Sequence, residues 1–435
     1  MTSPLRLFLT WLVALISVTH AGTLLFTNGI VVTVTGPSLT NASVFVRDGR
    51  IESVGLLAAG KADQVINLQG MRLFPGLIAP STVLGLMEID SLRPSRDTTE
   101  VGEFSPDVAA WVAVNPDSEL IPVARANGYT HAQVIPLGGL VSGVSAVIQL
   151  QGWTIEDLTV RKKVALHLRW PTFSVDTTTK EQSGNQESWK SIEEQAEERN
   201  KTLRKIDAFF SDASAYAGAK TAAGTGAFQT VPAWEAMLPF LQRDLPLWIH
   251  ADEVRQIRSA VEWLGRRKLR GVISGGRDAW REASLLATNA ISVVFEHVFT
   301  QPVRDTDAYD TQFTAASILA RAGVSVAFGE GTDRFGASSI RNVPYAAAQA
   351  RAFGLPYEQA IRGLTLYPAR LLGLDKQLGS IEAGKDATLI LVDGDILDLR
   401  SKVKRQWITG VEQDLSSRHT RLHDRYKSRP KPLAK

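Results

Sequence analysis

The chain contains no cysteine among its 435 residues. This absence excludes thiolate catalysis, zinc sites with cysteine ligands, iron–sulfur clusters, a disulfide scaffold and a lipoprotein anchor on cysteine. Histidine is scarce as well, because the whole chain contains seven of them. Few side chains can therefore offer an imidazole to a metal ion or to a proton-transfer step.

The remaining composition is that of an ordinary globular protein. Hydrophobic residues make up 44% of the chain and charged residues 21%, which excludes disorder throughout and a collagen-like structure. The length exceeds that of one small domain and suits a large barrel with an accessory unit.

Positive charge is concentrated at the C-terminus. Residues 416–435 contain seven Lys and Arg side chains against one acid, Asp424, and so carry +6, whereas the whole chain carries +3. We treat residues 414–435 as a basic C-terminal tail. The rest of the chain is weakly acidic, so we expect no nucleic-acid partner. A solvated terminus and a contact with an anionic surface both fit the tail.

The first 21 residues have the pattern of a signal peptide. Arg6 precedes the apolar run Leu7–Val18, and Thr19-His20-Ala21 offers small residues for a cleavage near Ala21. This run is too short to cross a membrane as a helix, which needs about 20 residues, and no later run is long enough, so we expect no transmembrane span. The sequence predicts an exported protein, periplasmic in a diderm bacterium. An uncleaved N-terminal anchor is the alternative.

Short β-rich runs lie at both ends of the chain. Turn signals interrupt them at Asn28-Gly29, Asp48-Gly49 and Asp393-Gly394. Two β-rich ends around a long middle predict a small β-sandwich domain built from both chain ends, with residues 22–72 as its first part and residues 377–413 as its second.

Residues 73–376 alternate between strand and helix patterns. The candidate strands are Arg72–Ile78, Thr130–Ile135, Ala146–Leu150, Val164–Leu168, Leu247–Ala251, Gly271–Ser274, Ser292–Glu296 and Val324–Gly329. Parallel strands need crossover connections of the length seen here. The pattern predicts an α/β fold in which a (β/α)8 TIM barrel occupies residues 73–376. The charged helical stretch Glu187–Tyr216 is interpreted as an insertion at one end of the barrel.

Three segments resemble a known family. Leu73-Phe74-Pro75-Gly76-Leu77-Ile78 is similar to the first barrel strand of amidohydrolases, which reads roughly Pro-Gly-Leu-Ile-Asp-x-His-x-His. Thr365–Ala369 and Gly379–Ala387 resemble the closing signature of that family. From about Thr23 to Gly410 the chain therefore resembles the amidohydrolase superfamily, nearest to the imidazolonepropionase-like branch.

The resemblance implies a metal-dependent hydrolase of C–N bonds other than peptide bonds. It also implies a divalent metal cofactor such as zinc, whose bound water attacks the substrate, and a small-molecule substrate or ligand. The sequence leaves open whether the chain forms a homo-oligomer.

The chain departs from the family at the metal-ligand positions. The two first-strand histidines of the family fall on Ser81 and Val83, and the sixth-strand histidine falls on Ser274. Serine binds a metal ion weakly and valine cannot bind one, whereas zinc or iron needs imidazole at these positions. A normal binuclear centre cannot be assembled from what remains.

Two family positions retain a functional residue type. His250 follows an apolar strand and should face the pocket, since barrel active sites lie at the carboxyl ends of the strands. The resemblance implies that His250 is a metal ligand or an oxyanion stabiliser. It also implies that Asp333, in Gly331-Thr332-Asp333, is the acid that takes a proton from the metal-bound water.

Two further histidines, His167 and His297, lie near the ends of other predicted strands. A rebuilt mononuclear metal site from His167, His250, His297 and Asp333 is one hypothesis, because such a site needs three ligands and an open position. Hydrogen-bonded histidines without a metal ion are the other. The sequence thus supports two functions, an exported amidohydrolase-type enzyme or a catalytically inactive pseudoenzyme that binds a ligand or partner.

Overall fold

The structure is a computed structural model that describes residues 22–56, 61–224, 226, 228–333 and 335–430. The predicted signal peptide, residues 1–21, lies outside the described residues, so export stays a prediction. Among the helices of the described ranges, none combines the length and the apolar character that crossing a membrane requires.

The described part of the chain contains eighteen strands. They are β1 (Leu24–Val31), β2 (Leu39–Arg47), β3 (Arg50–Gly55), β4 (Gln64–Asn67), β5 (Arg72–Pro75), β6 (Leu77–Thr82), β7 (Tyr129–Val134), β8 (Val141–Val144), β9 (Ala146–Gln149), β10 (Thr159–Arg161), β11 (Leu166–Arg169), β12 (Leu247–Ala251), β13 (Gly271–Gly275), β14 (Ser292–Phe295), β15 (Val326–Phe328), β16 (Leu389–Val392), β17 (Val403–Ile408) and β18 (Val411–Glu412).

Twelve α-helices lie within the same described residues. They are α1 (Leu120–Ala126), α2 (Ile155–Leu158), α3 (Ile192–Ala223), α4 (Pro232–Leu241), α5 (Val254–Arg267), α6 (Ala283–Thr288), α7 (Thr311–Arg321), α8 (Gly336–Ser339), α9 (Val343–Ala352), α10 (Tyr357–Leu364), α11 (Leu366–Leu371) and α12 (Arg418–Lys427). Short 3₁₀ turns occupy Arg93–Ser95, Ala110–Ala113, Ala279–Glu282 and Ile340–Asn342.

One sheet, the terminal sheet, joins both ends of the chain. Its order is β18-β17-β16-β5-β1-β2-β3, and β4 pairs with β1. Its two halves meet in the antiparallel ladder of β5 with β16, where Pro75 lies opposite Leu389. The buried rings of Phe26 and Trp407 pack edge to face with 4.8 Å between their centroids. The contribution of both ends to one sheet is therefore observed, whereas a two-layer sandwich and the domain bounds stay predictions.

The other strands form two central sheets. One has the order β10-β9-β7-β6, and the other has the order β15-β14-β13-β12-β11-β8. Strands β11 to β15 are parallel to one another, as are β6 and β7. Ser145 alone separates β8 from β9, so one run of chain contributes to both sheets. Within the described strands the ladders do not close into the predicted ring of eight, because none joins the two central sheets at either edge.

The predicted first barrel strand, Arg72–Ile78, divides at Gly76. The residues before Gly76 pair with β16, and those after it pair with β7. A Cβ atom at Gly76 would lie 2.4 Å from the side chain of Thr130, so a glycine is needed where the chain passes from one sheet to the next.

Helices cover the central sheets through apolar faces. The helix α5 buries Ile257, Val261 and Leu264, whose spacing places them on one face. The long helix α3 starts at a capping box formed by Ser191 and Glu194, later than the predicted Glu187. The basic tail contains the helix α12, whose residues are not buried.

Candidate functional site

A cavity of about 450 Å³ opens at the carboxyl ends of five parallel strands. Arg169 ends β11, His250 and Ser274 lie near the ends of β12 and β13, and Glu296 and Glu330 follow β14 and β15. Folds with parallel strands and covering helices place their active sites at this end of the strands. We call this the carboxyl-end cavity and take it as the candidate site.

The structure brings four of the predicted site residues together. His250, Ser274, His297 and Asp333 all line the carboxyl-end cavity. Asp333 is exposed at the cavity edge, where its Oδ1 accepts a hydrogen bond of 2.9 Å from the backbone N–H of Phe335. Its predicted role as the base stays a prediction.

The other three predicted positions do not line the cavity. Ser81 is buried on β6, and Val83 is buried in the hydrophobic core just after β6. His167 is fully buried on β11, where its Nδ1 lies 3.0 Å from Nε2 of His250. His167 is therefore linked to the cavity through a second imidazole, and Ser81 lies behind the cavity residue Glu296.

The two imidazoles of this pair are both neutral at neutral pH. Burial lowers the pKa of His167 well below its ordinary value, and the charge of His250 acts in the same direction. Burial, followed by the positive charge of Arg169, lowers the pKa of His250 to about 3. A single N–H therefore lies between the two rings, donated by one and accepted by the other.

A chain of hydrogen bonds decides which ring donates. The hydroxyl of Ser145 donates to the carbonyl of Ala165 at 3.2 Å, so it accepts from Nε2 of Gln133 at 2.7 Å. The same amide nitrogen lies 3.5 Å from Nε2 of His167, which we assign as the acceptor of its second N–H. A neutral imidazole carries one proton, so His167 donates from Nδ1 to Nε2 of His250.

This tautomer leaves His250 protonated on Nδ1. Its Nε2 lone pair is used by His167, and its Nδ1–H has no hydrogen-bond partner among the described residues. His250 lines the cavity, so the ring that carries this N–H borders the space that a ligand would occupy. The arrangement fits the predicted oxyanion stabiliser better than the predicted metal ligand.

His297 and Asp252 form a second pair at the cavity. Nε2 of His297 lies 2.7 Å from Oδ1 of Asp252. Burial raises the pKa of Asp252, but the interactions with His297 and then with Arg277 outweigh it, so the net shift of the pKa is downward. A Cβ atom at Gly275 would lie 2.5 Å from Oδ1 of Asp252, and the φ of Gly275 is +93°, so a glycine is needed beside this carboxylate.

The loop that carries His297 is anchored from outside the cavity. Arg304 lies 2.6 Å from the buried carboxylate of Asp278 and 3.3 Å from that of Asp307. An arginine between two buried acids restrains the segment that follows β14. His297 is thereby held on a supported loop beside Asp252.

Two carboxyl groups of the cavity, Glu296 and Glu330, were not predicted from the sequence. Burial raises the pKa of Glu296, whose Oε1 accepts a 3.0 Å hydrogen bond from the hydroxyl of Ser274. Burial, then the charges of Asp333 and Glu296, raise the pKa of Glu330 to about 7. A carboxyl group with a pKa near neutrality can both take up and release a proton during a reaction.

Arg169 and Asp252 were also missed. Arg169 follows the buried residues of β11, and Asp252 lies one residue beyond β12. The sequence carries a signal for these two residues and for Glu296 and Glu330, because each is a charged residue at the carboxyl end of a predicted apolar strand.

The donor set does not fit the metal centre that the resemblance implies. Across residues 22–56, 61–224, 226, 228–333 and 335–430, no three His, Asp or Glu side chains are arranged to hold a metal ion. The Nε2 atoms of His250 and His297 already have protein partners, at 3.0 and 2.7 Å. The positions of three family ligands carry serine or valine, which are weak ligands or none.

Comparison with known proteins identifies relatives of this fold. The model of the Amidohydrolase family matches residues 157–416, more than half of the chain. A solved amidohydrolase from Thermotoga maritima MSB8 is 26% identical, with a TM-score of 0.76, over 90% of this chain and 99% of that one.

Two curated relatives are similar over short segments. Amidohydrolase tasK of Hapsidospora irregularis is 37% identical over 75 residues, which are 17% of this chain and 8% of that protein. The 5-methylthioadenosine/S-adenosylhomocysteine deaminase of Moorella thermoacetica is 47% identical over 83 residues, which are 17% of this chain and 18% of that protein. The chain thus spans less than a fifth of the length of either curated relative.

Proposed function

Because the chain belongs to the amidohydrolase family, we propose that it hydrolyses a C–N bond of a small amide in the carboxyl-end cavity. The observation that supports this most strongly is the convergence of Glu296, Glu330 and the free N–H of His250 on one cavity. Two carboxyl groups and a neutral N–H donor are the groups that a hydrolysis by acid and base catalysis requires.

Glu330 is the base in this proposal. Its deprotonated form, which is populated at neutral pH because its pKa is about 7, takes a proton from water. The water oxygen forms a bond to the carbonyl carbon of the amide. The Nδ1–H of His250 donates a hydrogen bond to the oxygen on which negative charge develops.

Glu296 is the acid. Because burial favours its protonated form, it can give a proton to the amide nitrogen as the C–N bond breaks. The products are a carboxylic acid and an amine. Glu330 then holds the proton taken from water and Glu296 has lost its own, and exchange with solvent restores the starting state. No step uses a metal ion, since the donor set does not fit one.

The described residues contain no group of three side chains that could hold a metal ion. This favours a second candidate function, a pseudoenzyme that binds a ligand without turnover. Both candidates use the same cavity. They differ in whether the bound amide is cleaved.

An assay of the purified full chain distinguishes the two candidates. The protein is treated with a chelator and incubated with N-acyl amino acids, lactams and hydantoins, and the products are followed by mass spectrometry. We expect cleavage of at least one class after chelator treatment, and cleavage at least about a hundredfold slower by the variant Glu330→Gln. Cleavage that requires added zinc contradicts the metal-independent mechanism. Binding without cleavage supports the pseudoenzyme.

Export and a closed barrel complete the proposal. The signal-peptide pattern of residues 1–21 supports export with cleavage near Ala21. The packing of β15 beside β6 supports a ring of eight strands in which the two central sheets meet without ladders. N-terminal sequencing of the protein recovered from the periplasm of an expressing diderm bacterium tests export, and a chain that still starts at Met1 contradicts it.

A further inference from the structure

We propose that Arg169 is the receptor for a carboxylate of the substrate, so that the cavity selects anionic amides such as N-acyl amino acids. This inference rests on the proposed function and names its substrate class. Arg169 is the last residue of β11, and it is the only Arg or Lys that lines the cavity among the described residues.

The guanidinium of Arg169 lacks a partner. It forms no hydrogen bond and no ion pair with any residue in the described ranges, although its side chain is partly buried. Nearby arginines do not share this property, because Arg258 lies 2.6 Å from Glu282 and Arg304 lies 2.6 Å from Asp278. A partly buried guanidinium presents a planar fork of N–H donors that matches a carboxylate.

The acids of the cavity do not saturate Arg169. Asp252 is bound to His297, Glu296 accepts from Ser274, and Asp333 accepts from a backbone N–H. Neither Glu296 nor Glu330 forms an ion pair with Arg169 among the described residues. The donors of Arg169 are therefore open to a group that enters from solvent, and a negative charge satisfies them best.

The position of Arg169 fits an amide with a carboxylate next to it. In the ladder of β11 with β12, Arg169 lies directly opposite His250. A carboxylate held by Arg169 places the adjacent amide beside the Nδ1–H of His250. Val298 and Phe299 line another part of the cavity and offer an apolar wall to the acyl chain. Carboxylate, amide and acyl chain follow one another in this way in an N-acyl amino acid.

A second cavity provides a rival site and hence a control. It has a volume of about 370 Å³ and lies at the amino ends of β12 to β14, where Arg243, Arg270 and Arg370 line it. We call it the amino-end cavity. Its three guanidinium groups can also attract an anion, so a test must show which end of the strands binds the carboxylate.

The test is isothermal titration calorimetry with N-acetylglycine and its neutral analogue N-acetylglycinamide as probes. The proteins are the full-length wild type, Arg169→Met, Arg169→Lys and the control Arg370→Met. We expect the wild type to bind N-acetylglycine about tenfold more tightly than N-acetylglycinamide, because a charge-assisted hydrogen bond is worth about this factor or more. Arg169→Met should lose this preference, Arg169→Lys should keep part of it, and Arg370→Met should keep all of it.

Each result decides the inference. The inference is overturned if the wild type binds the two probes equally or binds neither. It is also overturned if Arg370→Met loses the preference for N-acetylglycine while Arg169→Met retains it. Circular dichroism and the thermal midpoint of unfolding show whether the variants fold. If Arg169→Met does not fold, Arg169→Lys is used for the test in its place. Carboxylate binding through Arg169 without cleavage of any amide would leave the inference standing and overturn the proposed function. If Arg169→Met cleaved the amide with an unchanged KM and bound the probes with unchanged affinity, the inference would be overturned and the proposed function would stand.

Discussion

The two ends of the parallel strands carry cavities of similar size and different chemistry. The carboxyl-end cavity, of about 450 Å³, contains buried imidazole and carboxyl groups with displaced pKa values. The amino-end cavity, of about 370 Å³, is lined by three exposed arginines. Of these, Arg270 donates hydrogen bonds from Nη1 to the backbone carbonyls of Arg243 and Asp244.

The two cavities are of similar size, so volume alone does not separate the candidate site from the opposite end of the strands. Burial does, because it places titratable groups where their charged forms are disfavoured and where neighbouring charges act strongly. The exposed arginines of the amino end keep their contact with solvent. The comparison therefore predicts that equivalent substitutions at the two ends have unequal effects.

The largest expected effect comes from the base. Replacing Glu330 by Gln should lower kcat for amide cleavage about a hundredfold to ten-thousandfold, the usual contribution of a general base. Arg370→Met, at the opposite end, should leave kcat unchanged. Steady-state kinetics of both variants on the same amide measure this difference. Equal losses of kcat in the two variants would contradict the distinction between the two ends of the strands.

A second effect concerns stability against pH. The folded chain keeps His250 neutral, with a pKa of about 3, whereas the unfolded chain protonates this ring below its ordinary pKa. Between about pH 7.5 and pH 5 the unfolded state therefore gains protons, and the free energy of unfolding should fall by about 2 kcal/mol through this one residue.

Urea unfolding at both pH values measures this loss. In His250→Asn the fall between the two pH values should be smaller than in the wild type by about the same amount. Arg370→Met is the matched control and should retain the full pH dependence. An unchanged pH dependence in His250→Asn would show that the ring is not held neutral by the fold.

A smaller effect concerns the hydrogen-bond chain behind His250. Gln133→Met removes the donor that makes Nε2 of His167 an acceptor, so the proton of His250 is no longer held on Nδ1. We expect kcat to fall about tenfold, less than the loss of a whole oxyanion donor costs.

Nitrogen-15 NMR of the imidazoles reports the tautomer directly. The wild type should show His250 protonated on Nδ1, and Gln133→Met should show a mixture of tautomers. A wild-type spectrum with the proton on Nε2 would refute the assigned direction of the chain. Gln133→Glu tests whether a side chain of the same length without the N–H donor reproduces the change.

The smallest effect concerns the charge next to the base. Asp333 raises the pKa of Glu330 by repulsion, so Asp333→Asn should lower it. A base is active when deprotonated, and the acidic limb of the kcat/KM profile should therefore move to lower pH. Asp333→Glu keeps the charge and should leave the limb in place. A shift to higher pH in Asp333→Asn would argue against Glu330 as the titrating group.

The sequence was sufficient for features that depend on local pattern. The strand Leu247–Ala251 was predicted with the bounds that β12 has in the structure, and His250 lines the cavity as its position after an apolar run suggested. The prediction that residues from both chain ends share one β unit agrees with the ladder of β5 and β16. Membership of the amidohydrolase superfamily is confirmed, while the branch stays a prediction.

Features that depend on distant residues were not accessible in this way. The division of Arg72–Ile78 at Gly76 follows from pairing with β16, which lies more than 300 residues later. The pKa of Glu330 depends on Asp333 and Glu296, and the proton position on His250 depends on Gln133. Such properties arise from burial and from side chains on other strands, and one position in a sequence does not encode them.

The pairing of β5 with β16 has a consequence for how the molecule is made. Until Leu389–Val392, about nine-tenths of the way along the chain, has emerged, β5 has no neighbour on the side that β16 will occupy, and its backbone groups there are open to other strands. A contact of such long range forms late. The newly made protein therefore passes through a stage with an exposed strand edge, and a chain that ended before Leu389 would keep that edge permanently.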